Sequence, residues 1–245
     1  MQSPKLIYIS GDKLIAQMMK NAIDGLFSRR NVDEDIHLVL TGGRSGKKAA
    51  ERLTFELIEY LHSKKVETIK KKIFLHIWFS DERFSSCNDP DRTDSQLIQE
   101  CGPLADSLGL TLKFHQVATP ENDDVTSAAQ RYSEELDSEV GSRDFDLVIL
   151  SMGEDGHIAS LFPGLPTTAH GTNSAVAVDN SPKPPSQRVS ISVDRLAKAR
   201  AIYVLATGEA KRQALENVQS GGEGPLKMVS EVTSAEEFFI YTDIK

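Results

Sequence analysis

The chain has 245 residues, enough for one large domain or two small ones and for a sizeable core. Hydrophobic residues at 39% and charged residues at 26% fit a globular chain and exclude disorder, collagen or coiled coil as readings of the whole. The formal net charge of −8 argues against nucleic acid, whose phosphate backbone needs a basic surface. A small anion can still bind where a few cations and backbone N–H groups converge.

Two cysteines, Cys87 and Cys101, make no disulfide framework, so a reduced, cytoplasmic setting is expected. No apolar run approaches the ~18 residues of a membrane span, and none is expected. Along the chain, residues 5–10 (KLIYIS) read as a strand and 14–27 as a helix, with apolar positions at Leu14, Met18, Ala22, Ile23 and Leu26. A strand at 36–40 runs into Thr41-Gly42-Gly43-Arg44-Ser45-Gly46 and a long helix to about Leu61. Lysines 64–65 and 70–72 make a basic patch, read as a solvated face. Strands follow at 73–79 and 110–114, a helix at 125–140, and a predominantly apolar strand at 145–151 of the kind covered on both faces. Residues 171–186, rich in Ser, Pro, Asn and Gly, read as a loop-rich excursion holding a strand at 175–178. Strands at 188–193 and 201–206, a helix at 209–219 and a last strand at 238–241 complete the chain. This alternation predicts one α/β domain over 1–245. Its sheet is expected to be mostly parallel, doubly wound and Rossmann-like, with helices on both faces.

Ligands of such sheets bind beyond the carboxyl ends of the strands, so the segments after each strand carry the functional signal. At Gly42, Gly43, Arg44 and Ser45, the glycines permit a tight turn close to an anion, and the following helix start supplies N–H groups. The P-loop spacing fails there, because Lys47 is followed by Lys48. The alternative is an ordinary strand-to-helix turn. Asp81-Glu82-Arg83 ends the third strand. It is either a delivery point for catalytic groups or a solvated strand end with a local ion pair. Asp89, Asp91, Thr93 and Glu100 mimic a calcium loop, but Asp94 stands where glycine is required, so calcium is rejected. Most telling is Ser151-Met152-Gly153-Glu154-Asp155-Gly156-His157. Asp155 and His157, two residues apart and bracketed by glycines, can meet only in a tight turn. A carboxylate there would orient the imidazole and stabilise its protonated form, as a general base requires.

LTGGRSG (40–46), WFSDERF (78–84), MGEDGHIASLFPG (152–164), KPPSQRVSIS (183–192) and TGEAKRQAL (207–215) together resemble the 6-phosphogluconolactonase family. That family sits in the wider group that includes glucosamine-6-phosphate deaminase. The deaminases carry D-G-H-I-A-F-N-E-P and D-E-Y in the corresponding motifs, so the resemblance favours the lactonase. It implies hydrolysis of the 1,5-lactone of 6-phosphogluconate in the oxidative pentose phosphate pathway. His157 is then similar to the water-activating base, Asp155 to its companion acid and Arg83 to a substrate-facing arginine. Arg44, Arg188 and Lys211 match positions facing the substrate or its phosphate, with Asp81 and Lys183 grouped among the substrate-binding residues. The family's S-G-G-[SR]-T-P segment appears here without its proline. Its S-N-Y-type segment appears as Asp94-Ser95-Gln96. Lactone opening is activated ester chemistry that needs neither covalent nucleophile nor metal, and no cofactor is expected. The expected partner is a small sugar-phosphate lactone, with the chain a monomer or weak homodimer. The rivals are an amino-sugar-phosphate deaminase, a non-catalytic sugar-phosphate-binding regulator and an inactive family member.

Overall fold

The computed structural model describes residues 2–28, 35–63, 74–99 and 111–245, and the side chains of these residues except Arg44 and His62. The lysines at 64–65 and 70–72, Glu100 and Cys101 lie outside the described residues; Cys87 is an exposed free thiol.

Seven parallel strands form the main sheet: β1 (Lys5–Tyr8), β2 (Ile36–Leu40), β3 (Phe74–Phe79), β5 (Thr111–His115), β6 (Leu147–Ser151), β9 (Ala201–Ala206) and β10 (Glu237–Thr242), in the order β1-β10-β9-β6-β2-β3-β5. The inner strands are buried on both faces, while the edge strands β1 and β5 are partly exposed, and successive side chains of the inner strands alternate between two cores. Leu38, Ile77, Ile149 and Tyr203 point to one core, completed by α1 (Lys13–Ser28) and α2 (Gly43–Ser63). Val39, Trp78, Val148 and Val204 point to the other. That second core is closed by α3 (Val125–Glu139), a short α4 (Val193–Leu196), α5 (Arg212–Gln219) and α6 (Pro225–Val232). Helices on both faces are therefore as expected.

Two strands assigned by sequence belong elsewhere. β7 (Ala175–Val178) and β8 (Arg188–Ile191) pair antiparallel in a separate three-stranded sheet with β4 (Asp81–Arg83), in the order β4-β8-β7. Arg83 is thereby placed opposite Arg188. The loop-rich excursion is the outer part of this small sheet. A helical stretch at 93–99 and helix α6 were not read from the sequence. No helix among the described residues is long and apolar enough to cross a membrane.

From β2, in the middle of the main sheet, the chain builds outward through β3 and β5 on one side. On the other side lie β6, β9, β10 and β1. The sheet's switch point therefore lies between β2 and β6, and the two most glycine-rich motifs leave the carboxyl ends of these two strands.

Candidate active site

A cavity of about 740 Å³ opens at this switch point. Nine of the residues singled out by sequence line it: Gly42, Gly43, Ser45, Asp81, Arg83, His157, Lys183, Arg188 and Lys211. They come from the β2–α2 turn, β4, the turn after β6, the loop before β8 with the first residue of β8, and the segment after β9, so the fold assembles the site from five distant stretches. Asp155 sits behind His157 and reaches the cavity through it. The Arg44 side chain lies outside the described set.

The turn after β6 is tight. The Gly153 N–H donates to the His157 carbonyl at 2.8 Å and the Gly156 N–H to the Gly153 carbonyl at 3.1 Å. Gly156 has φ +81°, a conformation that glycine alone adopts without strain. The turn brings the Asp155 carboxylate onto Nδ1 of His157 in a short hydrogen bond. Gly153 lies so close that a Cβ there would fall 2.0 Å from that same Nδ1, so only glycine leaves room for the ring. Phe162 backs the imidazole, with centroids 4.6 Å apart.

His157 keeps only 15% of its side-chain exposure. Burial pushes its pKa below the usual histidine value, against the raising effect of Asp155. The ring is consequently neutral near pH 7, the form that can accept a proton. Burial would raise the Asp155 carboxyl, but its bond to His157 and the charges of His157 and Lys183 hold it below the usual range. With Nδ1 taken by Asp155, Nε2 is the nitrogen left for a reacting water.

The cavity also gathers cations. Lys183 Nζ stands 3.7 Å from the Asp155 carboxylate and 3.5 Å from His157 Nδ1. Lys211 donates to the Met152 carbonyl, and burial followed by the charge of Lys183 lowers its pKa. Arg83 donates to the Asp91 carbonyl. Arg188 is buried and holds the loop before β8: Nη2 donates to the carbonyls of Lys183 at 3.2 Å and Pro184 at 3.1 Å, and Nε to Pro185 at 3.3 Å. Its other nitrogen has longer contacts, 3.5 Å to Ser160 Oγ and 3.8 Å to Asp81. Asp81 in turn accepts from Ser160 at 2.6 Å and Ser80 at 3.0 Å.

Of the two readings of Asp81-Glu82-Arg83, the solvated strand end is ruled out: Glu82 is 1% exposed, and burial, with Asp94 alongside, raises its pKa to about 7. Its place in a second sheet buries it, which a run of three charges after an apolar strand does not signal. Thr93, Lys48, Ser151 and Thr207 also line the cavity and were missed. Thr93 lies in the acidic segment read only for calcium. Among the described residues no group of three or more His, Cys, Asp or Glu side chains could hold a metal ion.

Known proteins resemble this chain in sequence and in fold. Residues 10–238 match the family described as glucosamine-6-phosphate isomerases/6-phosphogluconolactonase. A 6-phosphogluconolactonase of Streptomyces coelicolor is 31% identical over 234 residues, covering 89% of this chain and 84% of that protein. One from Mycobacterium tuberculosis is 28% identical over 236 residues, covering 93% and 90%. Among solved structures, 6-phosphogluconolactonase from Trypanosoma cruzi superposes with a TM-score of 0.78 at 19% identity, covering 99% of this chain and 96% of that one.

Proposed function

The chain belongs to the glucosamine-6-phosphate isomerases/6-phosphogluconolactonase family, and we propose that it hydrolyses 6-phospho-D-glucono-1,5-lactone to 6-phosphogluconate, the hydrolytic step of the oxidative pentose phosphate pathway. The observation that carries the reading is the Asp155–His157 pair facing a cavity lined by cations.

In this reading Asp155 fixes Nδ1–H, and Nε2 of His157 takes a proton from water as that water attacks C1. The carbonyl oxygen becomes an oxyanion, stabilised by the cations of the cavity, with Arg83 and Lys183 facing the substrate. The imidazolium then protonates the departing ring oxygen, which opens the ring and returns His157 to its neutral form. Asp155 stays ionised throughout and stabilises the imidazolium.

In this reading the phosphate binds at the start of α2, on the turn of residues 42–45, with Arg188 and Lys211; Gly42, Gly43, Ser45, Arg188 and Lys211 line the cavity there. The long contacts of Arg188 to Ser160 and Asp81 are weak enough to be exchanged for a phosphate oxygen, while its shorter bonds keep the loop in place. Because the net charge of −8 repels a dianion at a distance, this local attraction has to come from nearby donors. We place the protein in the cytoplasm, as a monomer or weak homodimer acting on a free sugar phosphate.

The experiment is NADP-coupled detection of 6-phosphogluconate from freshly made lactone, with the spontaneous rate subtracted. Enzyme-dependent formation supports the reading. Ammonia release from glucosamine 6-phosphate without lactone hydrolysis would replace it by the deaminase.

A further inference from the structure

We propose that Thr93 is a further substrate ligand of the cavity, its hydroxyl meeting the phosphorylated end of the sugar, and that Glu82 is the residue that positions it. The inference rests on the placement of phosphate at the β2–α2 turn.

Thr93 is 5% exposed yet lines the cavity. A Cβ built on Gly42 would lie 2.1 Å from Thr93 Oγ1, so the hydroxyl sits directly against the Gly42-Gly43 turn, and glycine at 42 is what lets it approach. That hydroxyl has no hydrogen-bond partner among the described residues. A hydroxyl can donate to a phosphate oxygen, and here it is turned to the same space as the turn's backbone.

Glu82 holds this arrangement from below. Its Oε1 accepts the N–H groups of Arg83 at 2.8 Å and Thr93 at 3.1 Å, and its Oε2 accepts the N–H of Asp94 at 2.8 Å. All three of these contacts are backbone donors, and two belong to the segment carrying Thr93. Buried polar oxygens are costly unless satisfied, and these three backbone donors satisfy both oxygens of Glu82. The same segment is fixed from its other side. Arg92 pairs with Asp94 at 2.5 and 3.0 Å and donates to the carbonyls of Val117 at 2.8 Å and Ser85 at 3.2 Å. Thr93 therefore has little freedom to leave the turn.

The test is steady-state kinetics on phosphorylated and unphosphorylated gluconolactone for Thr93→Val, Thr93→Ser, Glu82→Gln and the Glu82→Gln/Thr93→Val double variant. Thr93→Val should raise KM for the phosphorylated lactone roughly ten-fold or more, as for a lost bond to a charged group, with kcat nearly unchanged. KM for gluconolactone should not move, and Thr93→Ser should restore the wild-type value. Glu82→Gln should raise the same KM, and its effect should largely vanish in the Thr93→Val background, because both act through one hydroxyl. An unchanged KM in Thr93→Val, or equal penalties on the two lactones, overturns Thr93 as a ligand. Additive penalties, or a Glu82→Gln chain that does not fold, overturn the positioning role. Should the wild type open neither lactone, the proposed function fails by itself. Calorimetry with inorganic phosphate then decides on Thr93: weaker binding to Thr93→Val supports it as a ligand, and equal binding removes it.

Discussion

His157 and Asp155 divide one task, and their variants should fail differently. His157→Ala removes the proton acceptor and should cut kcat by on the order of 10²–10⁴-fold in a folded protein. Asp155→Asn keeps the ring but removes the charge that raises its pKa against burial. The acid limb of the pH–rate profile, already below the usual histidine value in the wild type, should therefore move to still lower pH while the plateau falls. A limb that moves to higher pH would contradict the pairing. Gly153→Ala tests the packing, since a Cβ 2.0 Å from Nδ1 forces the imidazole out; lost turnover with an intact fold is expected. Arg188→Ala should raise KM for the phosphorylated lactone about 10- to 150-fold more than for gluconolactone, the span of one lost charge-assisted bond. Equal penalties would restrict Arg188 to holding the 183–185 carbonyls.

At the scale of elements, the site depends on how β3 hands the chain to β4. The Tyr132 hydroxyl of α3 accepts the Phe79 N–H at 2.9 Å and donates to the Phe79 carbonyl at 3.0 Å, one residue past the end of the β3–β5 pairing. Tyr132→Phe leaves both groups buried without that partner and should cost about 1–3 kcal/mol in denaturant unfolding. No measurable loss would show that Phe79 finds another partner. Sequence patterning made the parallel strands legible because β2, β3, β6 and β9 are apolar on both faces. It also made the tight turn after β6 legible, because glycines bracket Asp155 and His157. Three-residue β4 was not legible: Asp81-Glu82-Arg83 has no apolar periodicity, and its burial comes from pairing with β8 more than a hundred residues away. The place of Thr93 in the cavity was hidden for the same reason, since it depends on close approach to Gly42, some fifty residues earlier in the chain.

For the whole molecule, the winding of the sheet explains why motifs so far apart in sequence meet. β2 and β6 are neighbours at the switch point, so the loops leaving them face each other across a crevice. The small antiparallel sheet adds Asp81, Arg83 and Arg188 from the side. Among the described residues this assembly places five cations — Lys48, Arg83, Lys183, Arg188 and Lys211 — around one cavity in a protein of net charge −8. The lactone carbonyl is already electrophilic, and with His157 as the proposed base no metal is required, so activity should survive exhaustive chelation. A large loss with EDTA, restored by one divalent ion, would contradict that.

The central claim is that His157 activates the water that opens the lactone. It is tested most directly by the rate of acid release from freshly made 6-phosphogluconolactone for the wild type and His157→Ala side by side, with the spontaneous rate subtracted and folding verified for both. The account predicts rapid release with the wild type and a rate at least about a hundred-fold lower with the variant. Near-normal release by a folded His157→Ala protein would contradict it.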